Sequence, residues 1–176
     1  ACLVGSEMCI RDRLKLDGLR LLAPIERPSK IIGVGLNYRN HAVESRESLP
    51  TRPLLFAKLP SSIIGDGDPI CIPSQSDQVD WEVELGVVIG RRARRVSATD
   101  ALAYIGGYTI VNDVSARDLQ TSDGQWMRAK SFDSFTPMGP WITTTDELGD
   151  ASGLGIRLWV NGQLKQSGNT SDLVFG

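Results

Sequence analysis

The chain has 176 residues, 41% hydrophobic and 23% charged, with a formal net charge of −2. This is the profile of a globular chain with enough apolar residues for one sizeable core. With no long run of one sign, it argues against nucleic acid and anionic membranes as partners, and no stretch approaches the roughly 20 apolar residues of a membrane span.

Residues 1–13, ACLVGSEMCIRDR, show no usable period and no helix cap. They resemble a translated adapter fragment and are set apart as a non-native leader. Cys2 and Cys9 go with them, and with Cys71 they form no CxxC pair. The cysteines therefore describe neither a disulfide framework nor a thiolate metal site, and a reducing cytoplasm is the expected compartment.

From there KIIGVGLNY (30–38) predicts a buried strand entering a glycine turn, with Asn37 capping a helix through about Glu47. LLFAK (54–58) predicts a strand, and 60–78 a turn-rich segment with a short strand at 69–72. VDWEVELGVVIG (79–90) follows, then arginines 91, 92, 94 and 95 as a solvated strand end. Ser97 with Asp100 makes a capping box for a helix near 98–104. GGYTIVND (106–113) predicts a buried strand, and Ser115 the cap of a helix through Gln120. MRAKSF and GPWITTT read as strands, and IRLWVNGQLKQ (156–166) as a hairpin turning at Asn161-Gly162. Many short strands and few helices predict an α+β, mostly β fold with mixed sheets, as one domain over 14–176. The chain stops at DLVFG, inside an apolar stretch, which reads as a truncated end.

The segment 79–90 poses the functional question. Trp81, Val83, Leu85, Val87 and Ile89 alternate as one buried strand face. Asp80, Glu82 and Glu84 share the other face, which then turns apolar. Glutamates two apart on a strand have Cα atoms roughly 6.6–6.8 Å apart and can lean toward one divalent cation. On that strand alone an acidic, solvent-facing end is the plainer reading. Asp113, closing a second buried strand where Asp is a poor strand residue, shifts the balance. Glu82, Glu84 and Asp113 form an all-oxygen set that suits Mg²⁺ or Mn²⁺, with Ca²⁺ also accommodated, rather than Zn²⁺.

Three weaker patterns accompany it. His41, the chain's one histidine, precedes Glu44 by three residues. On a helix a carboxylate there can orient an imidazole as a water-activating base, although by itself the pattern reads as an ordinary exposed helix. Lys130 sits between apolar residues and can stabilise developing negative charge, or can equally snorkel from a strand edge. Arg117 and Gln120, three apart after Asp113, can clamp a substrate carboxylate or simply face solvent.

Together, GxNYxxHxxE, PxLFxK, DWExELGVVIG, GYTIVNDVSARDLQ, AKSFDSFTPMGPW and VNGQ resemble, in order and spacing, the fumarylacetoacetate hydrolase family over about residues 30 to 175. The resemblance implies the family's mixed β-roll or sandwich with a few short helices, assembled as a homodimer or larger homo-oligomer. It implies Mg²⁺ or Mn²⁺ on Glu82, Glu84 and Asp113, a catalytic set of His41, Glu44 and Lys130, and substrate contacts from Arg117 and Gln120. The implied partner is a small 2-oxo or diketo acid, with neither nucleic acid nor membrane involved. The implied activity is metal-dependent hydrolysis of the C–C bond of acylpyruvates and other 1,3-diketo acids through an enolate, and the segments read most like members from aromatic-compound catabolism. Isomerisation of a 2-hydroxyhepta-2,4-diene-1,7-dioate and decarboxylation of an oxaloacetate-type diacid stay open on the same residues. So does a non-catalytic metal-binding β-domain. The family's further strands and glycine-rich TGTP-type turn are not in this sequence.

Overall fold

The computed structural model describes residues 15–176. The proposed leader, residues 1–13, lies outside the described residues.

The described chain forms ten strands, three short α-helices and three 3₁₀ helices, an α+β fold that is mostly β. The central sheet takes β3 (Ile63–Ile64), β8 (Thr136–Thr143), β6 (Ile105–Asn112) and β5 (Val83–Ile89) in that order. β3 runs parallel to β8 and the other pairs are antiparallel, so the sheet is mixed. Two antiparallel pairs flank it: β1 (Ile31–Gly35) with β2 (Leu54–Lys58), and β9 (Gly155–Val160) with β10 (Gln163–Asn169). A two-residue pair joins β4 (Val79–Asp80) to β7 (Ser115–Ala116). The helices are α1 (Arg39–Glu44), α2 (Arg117–Asp123) and α3 (Thr145–Leu148).

Local chemistry explains several of these elements. Gly33 pairs with Phe56 across β1–β2, and a Cβ at residue 33 would run into the Phe56 ring. Asn161 and Gly162 have φ of 51° and 77°, the two positive values that a two-residue hairpin turn needs. Ser97 accepts from the Asp100 backbone N–H at 3.3 Å, the first bond of the expected capping box, but its hydroxyl rather than its backbone N–H donates to the Asp100 carboxylate, at 2.7 Å, and the helix it starts is 3₁₀.

The core lies beside β7. Val114, Ala116, Ala129 and Phe135 are buried together, and Val79, Leu119 and Phe132 pack against them. Phe132 meets Phe135 edge to face at 5.4 Å.

Six local expectations need correcting. The strand expected over 79–90 is two. The backbone N–H of Trp81 turns to the Asp80 carboxylate and that of Glu82 to the Asn112 side chain, which interrupts the ladder between β4 and β5. The expected buried face of that strand holds at Val83, 6% exposed, but fails at Val87 and Ile89, 48% and 60% exposed, because nothing among the described residues covers that end. Asn37 does not cap α1. Its amide clasps the Phe175 backbone instead, accepting at 2.9 Å and donating at 3.0 Å, and the helix runs only from Arg39 to Glu44. No strand forms at 69–72, where the Cys71 N–H donates to the Ser134 hydroxyl. MRAK is a turn rather than a strand, with the Lys130 N–H donating to the Trp126 carbonyl at 3.0 Å. Ser115 also does not cap α2, because its hydroxyl is drawn inward to Lys130 and the Asp113 carbonyl.

Phe135 is completely buried at the centre of this core. Phe135→Ala is expected to cost about 3–5 kcal/mol, read as a lower urea midpoint at unchanged slope. A loss under about 1 kcal/mol would place the stabilising core elsewhere.

Candidate active site

The β5–β6 register sets the site. Val83 pairs with Asn112, so Glu82 comes opposite Asp113, and the Asp113 N–H donates to the Glu82 carbonyl at 2.7 Å. Glu84 follows on β5. The three carboxylates predicted to act together thus arise from one strand pair.

Two lysines meet them from behind. Lys130 is 1% exposed, so it is no snorkelling edge residue. Its ammonium donates to Glu82 Oε2 at 2.8 Å, Asp113 Oδ2 at 2.6 Å and Ser115 Oγ at 2.8 Å. That engages all three of its protons. It also lies 4.9 Å from the centre of the Phe56 ring. Lys58, the last residue of β2, is 4% exposed and donates to Asp113 Oδ1 at 2.6 Å and to the Lys130 carbonyl. Sequence reasoning missed Lys58, although a lysine closing the apolar run LLFA was a visible signal.

Burial would raise the Asp113 acid, but Lys58 and Lys130 outweigh it and hold it below the usual carboxylate range. Burial lowers Lys58, and the attraction of Asp113 only partly opposes it.

Arg117, the first residue of α2, closes the other side. Its guanidinium reaches Glu82 Oε1 at 2.5 Å and Asp80 Oδ2 at 2.8 Å, and donates to the Gln120 amide oxygen at 3.0 Å. The predicted Arg117–Gln120 pair does form, but its fork is occupied by protein carboxylates. Burial would lower the guanidinium, yet Glu82 and Asp80 together raise it.

Three cations therefore face four carboxylates, and Glu84 is the one without a partner. Among the described residues it makes no hydrogen bond or ion pair. Its acid is pushed up to about 8, first by burial, then by the charges of Glu82 and Asp113, with Lys130 offsetting part of the rise. Tyr38 nearby is raised by burial and then by Glu84 and Asp172. Among the described residues, no three His, Cys, Asp or Glu side chains stand ready to chelate an ion. Glu82 and Asp113 are turned onto Lys130 instead. In kind, an all-oxygen set with one partly buried carboxylate that no protein cation pairs fits a hard divalent cation.

A cleft of ≈180 Å³ opens over this cluster. Glu82, Glu84 and Arg117 form its base, and His41 and Glu44 of α1 its side. His41 and Glu44 are exposed, and no hydrogen bond joins them. Asp113, Lys130 and Gln120 are not in the lining, and the first two stand behind Glu82. The third wall comes from β10, through Lys165 and Gln166. A larger hollow of ≈390 Å³ elsewhere has only Cys71 and Asp133 as ionisable lining groups and lacks any convergence of charge.

Comparison with known proteins agrees with this architecture. The chain is 48% identical over 155 residues to a mitochondrial oxaloacetate tautomerase of Rattus norvegicus, covering 88% of this chain and 50% of the relative. It thus spans about half the length of the curated relative. The structure of 5-carboxymethyl-2-hydroxymuconate delta-isomerase from Mycobacterium smegmatis superposes with a TM-score of 0.78 at 51% identity, over 88% of this chain and 60% of that one. Maleylpyruvate hydrolase from Sphingobium sp. SYK-6, in complex with manganese(II) and pyruvate, superposes with a TM-score of 0.79 at 34% identity, over 93% and 56%. Residues 30–176 match the fumarylacetoacetate hydrolase C-terminal family model, and the chain belongs to that family.

Proposed function

We propose that the chain carries the active site of a divalent-metal-dependent enzyme that shifts a proton beside the ketone of a small 2-oxo acid, a tautomerase or isomerase. The observation that carries this reading is Glu84, a carboxylate at the cleft beside Glu82 and close enough to Asp113 to feel its charge, yet left without a cation. Glu82, Glu84 and Asp113 would hold Mg²⁺ or Mn²⁺. When bound, the cation supplies positive charge where the oxo oxygen becomes negative.

The remaining work falls to the protein. Lys58 and Lys130 fix Asp113 by both of its oxygens, so its orientation is set before any ligand arrives. Glu82 is shared between Lys130 and Arg117. If Glu82 held the cation instead, one N–H of each would be freed, that of Arg117 for a substrate carboxylate oxygen and that of Lys130 for the developing oxyanion. His41, at the side of the cleft, takes the proton from the carbon next to the ketone and returns it, and net composition does not change. The cleft of ≈180 Å³ matches a small acid. The tautomerase and isomerase relatives, at 48% and 51% identity, support this class.

A second reading is hydrolysis of a C–C bond in an acylpyruvate. It is favoured by the presence of both His41 and Glu44 in the lining, where a rotamer change would pair them to activate water. Decarboxylation of an oxaloacetate-type diacid would use the same charge stabilisation without an attacking water.

The deciding assay gives the chain oxaloacetate or acetylpyruvate, with Mn²⁺ or with chelator, and follows enol absorbance and pyruvate together. Metal-dependent change in enol absorbance of oxaloacetate without pyruvate supports the proposal. Metal-dependent pyruvate from oxaloacetate selects decarboxylation, and from acetylpyruvate hydrolysis. If no substrate responds to the metal, the proposal falls. Glu82→Gln is expected to weaken Mn²⁺ binding by about tenfold or more, about 1.4 kcal/mol, in a calorimetric titration. Unchanged affinity would remove Glu82 from the ligand set. His41→Ala should abolish turnover and leave Mn²⁺ affinity nearly intact, whereas parallel loss of both would make His41 structural.

A further inference from the structure

The hairpin β9–β10 carries an irregularity that the proposed chemistry does not use. Leu164 pairs with Trp159 and Gln166 with Leu158, so Lys165 is an extra residue with no partner on β9. Such a bulge re-aims a side chain that regular alternation would send to the opposite face from its neighbours. Here Lys165 and Gln166 both reach the cleft.

Gln166 fixes where that residue stands. Its amide accepts from the Val83 N–H at 2.7 Å and donates to the Val83 carbonyl at 2.9 Å. A side chain thus bonds both backbone groups of the residue between Glu82 and Glu84. The hairpin is pinned to the carboxylate strand one residue away from Lys165.

Lys165 also stands apart by charge. The ammonium of Lys130 and the guanidinium of Arg117 are committed to Glu82, Asp113 and Asp80. Among the described residues Lys165 forms no ion pair, although Glu44, Glu82, Glu84 and Asp172 line the same cleft. A substrate whose 2-oxo acid end sits at the carboxylate cluster would extend past acidic walls toward β10. A second carboxylate on that substrate finds there the exposed Lys165, which holds no protein carboxylate among the described residues, with Ser167 also in the lining.

We infer that Lys165 receives the far carboxylate of a dicarboxylic 2-oxo acid and so selects diacids over monoacids. This rests on the proposed function for the position of the reacting end, but its test does not need turnover. The probes are malate and lactate, stable 2-hydroxy acids that differ by the far carboxylate, titrated calorimetrically into the full chain in the presence of Mn²⁺. Wild type is expected to bind malate more tightly than lactate. Lys165→Ala should weaken malate by about tenfold with lactate unchanged, and Lys165→Arg should restore malate. With oxaloacetate and its 4-methyl ester as substrates, Lys165→Ala should raise KM for the diacid alone, with kcat within about twofold.

Equal loss for malate and lactate, or no loss for either, would overturn the role of Lys165. So would a wild type that does not distinguish the two acids. If wild type turns over no 2-oxo acid while Lys165→Ala still weakens malate alone, the reaction class is wrong and the diacid site stands.

Discussion

The structure depends on Asp113 being held at both oxygens by two buried ammonium groups. A buried carboxylate is costly unless it is paired and hydrogen-bonded, and each lysine alone would be equally costly. Together they satisfy one another: Lys58 comes from β2, Lys130 from the turn before the core, and Asp113 from the end of β6. The bond from Lys58 to the Lys130 carbonyl closes the arrangement. Three segments distant in sequence are thereby fixed at one point. Core residues Val114, Ala116, Ala129 and Phe135 surround the same point, so apolar packing and charge pairing order the same atoms.

That arrangement divides the carboxylates into distinct kinds. Asp113 is held rigidly by lysines and kept ionised. Glu82 is shared between Lys130 and Arg117 and so can exchange partners. Glu84 has no partner and its acid rises to about 8. Glu84 is the carboxylate of the cluster whose protonated form burial and the charges of Glu82 and Asp113 favour. Like carboxylates in one site are commonly driven apart in this way by their mutual fields.

Much of this was legible in the sequence. Alternation located β5, the run GGYTIVND located β6, Asn161-Gly162 located the hairpin, and the step from apolar to acidic at Glu82 and Glu84 located the carboxylates. What stayed hidden was set by partners far along the chain. Ser115 has the sequence of a helix cap, but Lys130 draws it inward. Asn37 stands where a cap belongs, but its amide finds the backbone of Phe175, 138 residues away. Alternation marked Val87 and Ile89 as buried, yet periodicity records which residues share a face and not whether anything covers that face. The break after Asp80 arises because short polar side chains there compete with the ladder for backbone N–H groups.

The hairpin β9–β10 extends the same logic to the cleft's outer wall. Its turn is specified locally by Asn161 and Gly162, but its position is specified by Gln166, which bonds Val83 as another strand would. The bulge and the amide clasp are adjacent, so a register slip that moved Lys165 would also break both bonds to Val83. A side chain used in place of a strand leaves Glu82 and Glu84, on either side of Val83, free to face the cleft. Full pairing along β5 would instead have laid a second strand beside the carboxylates.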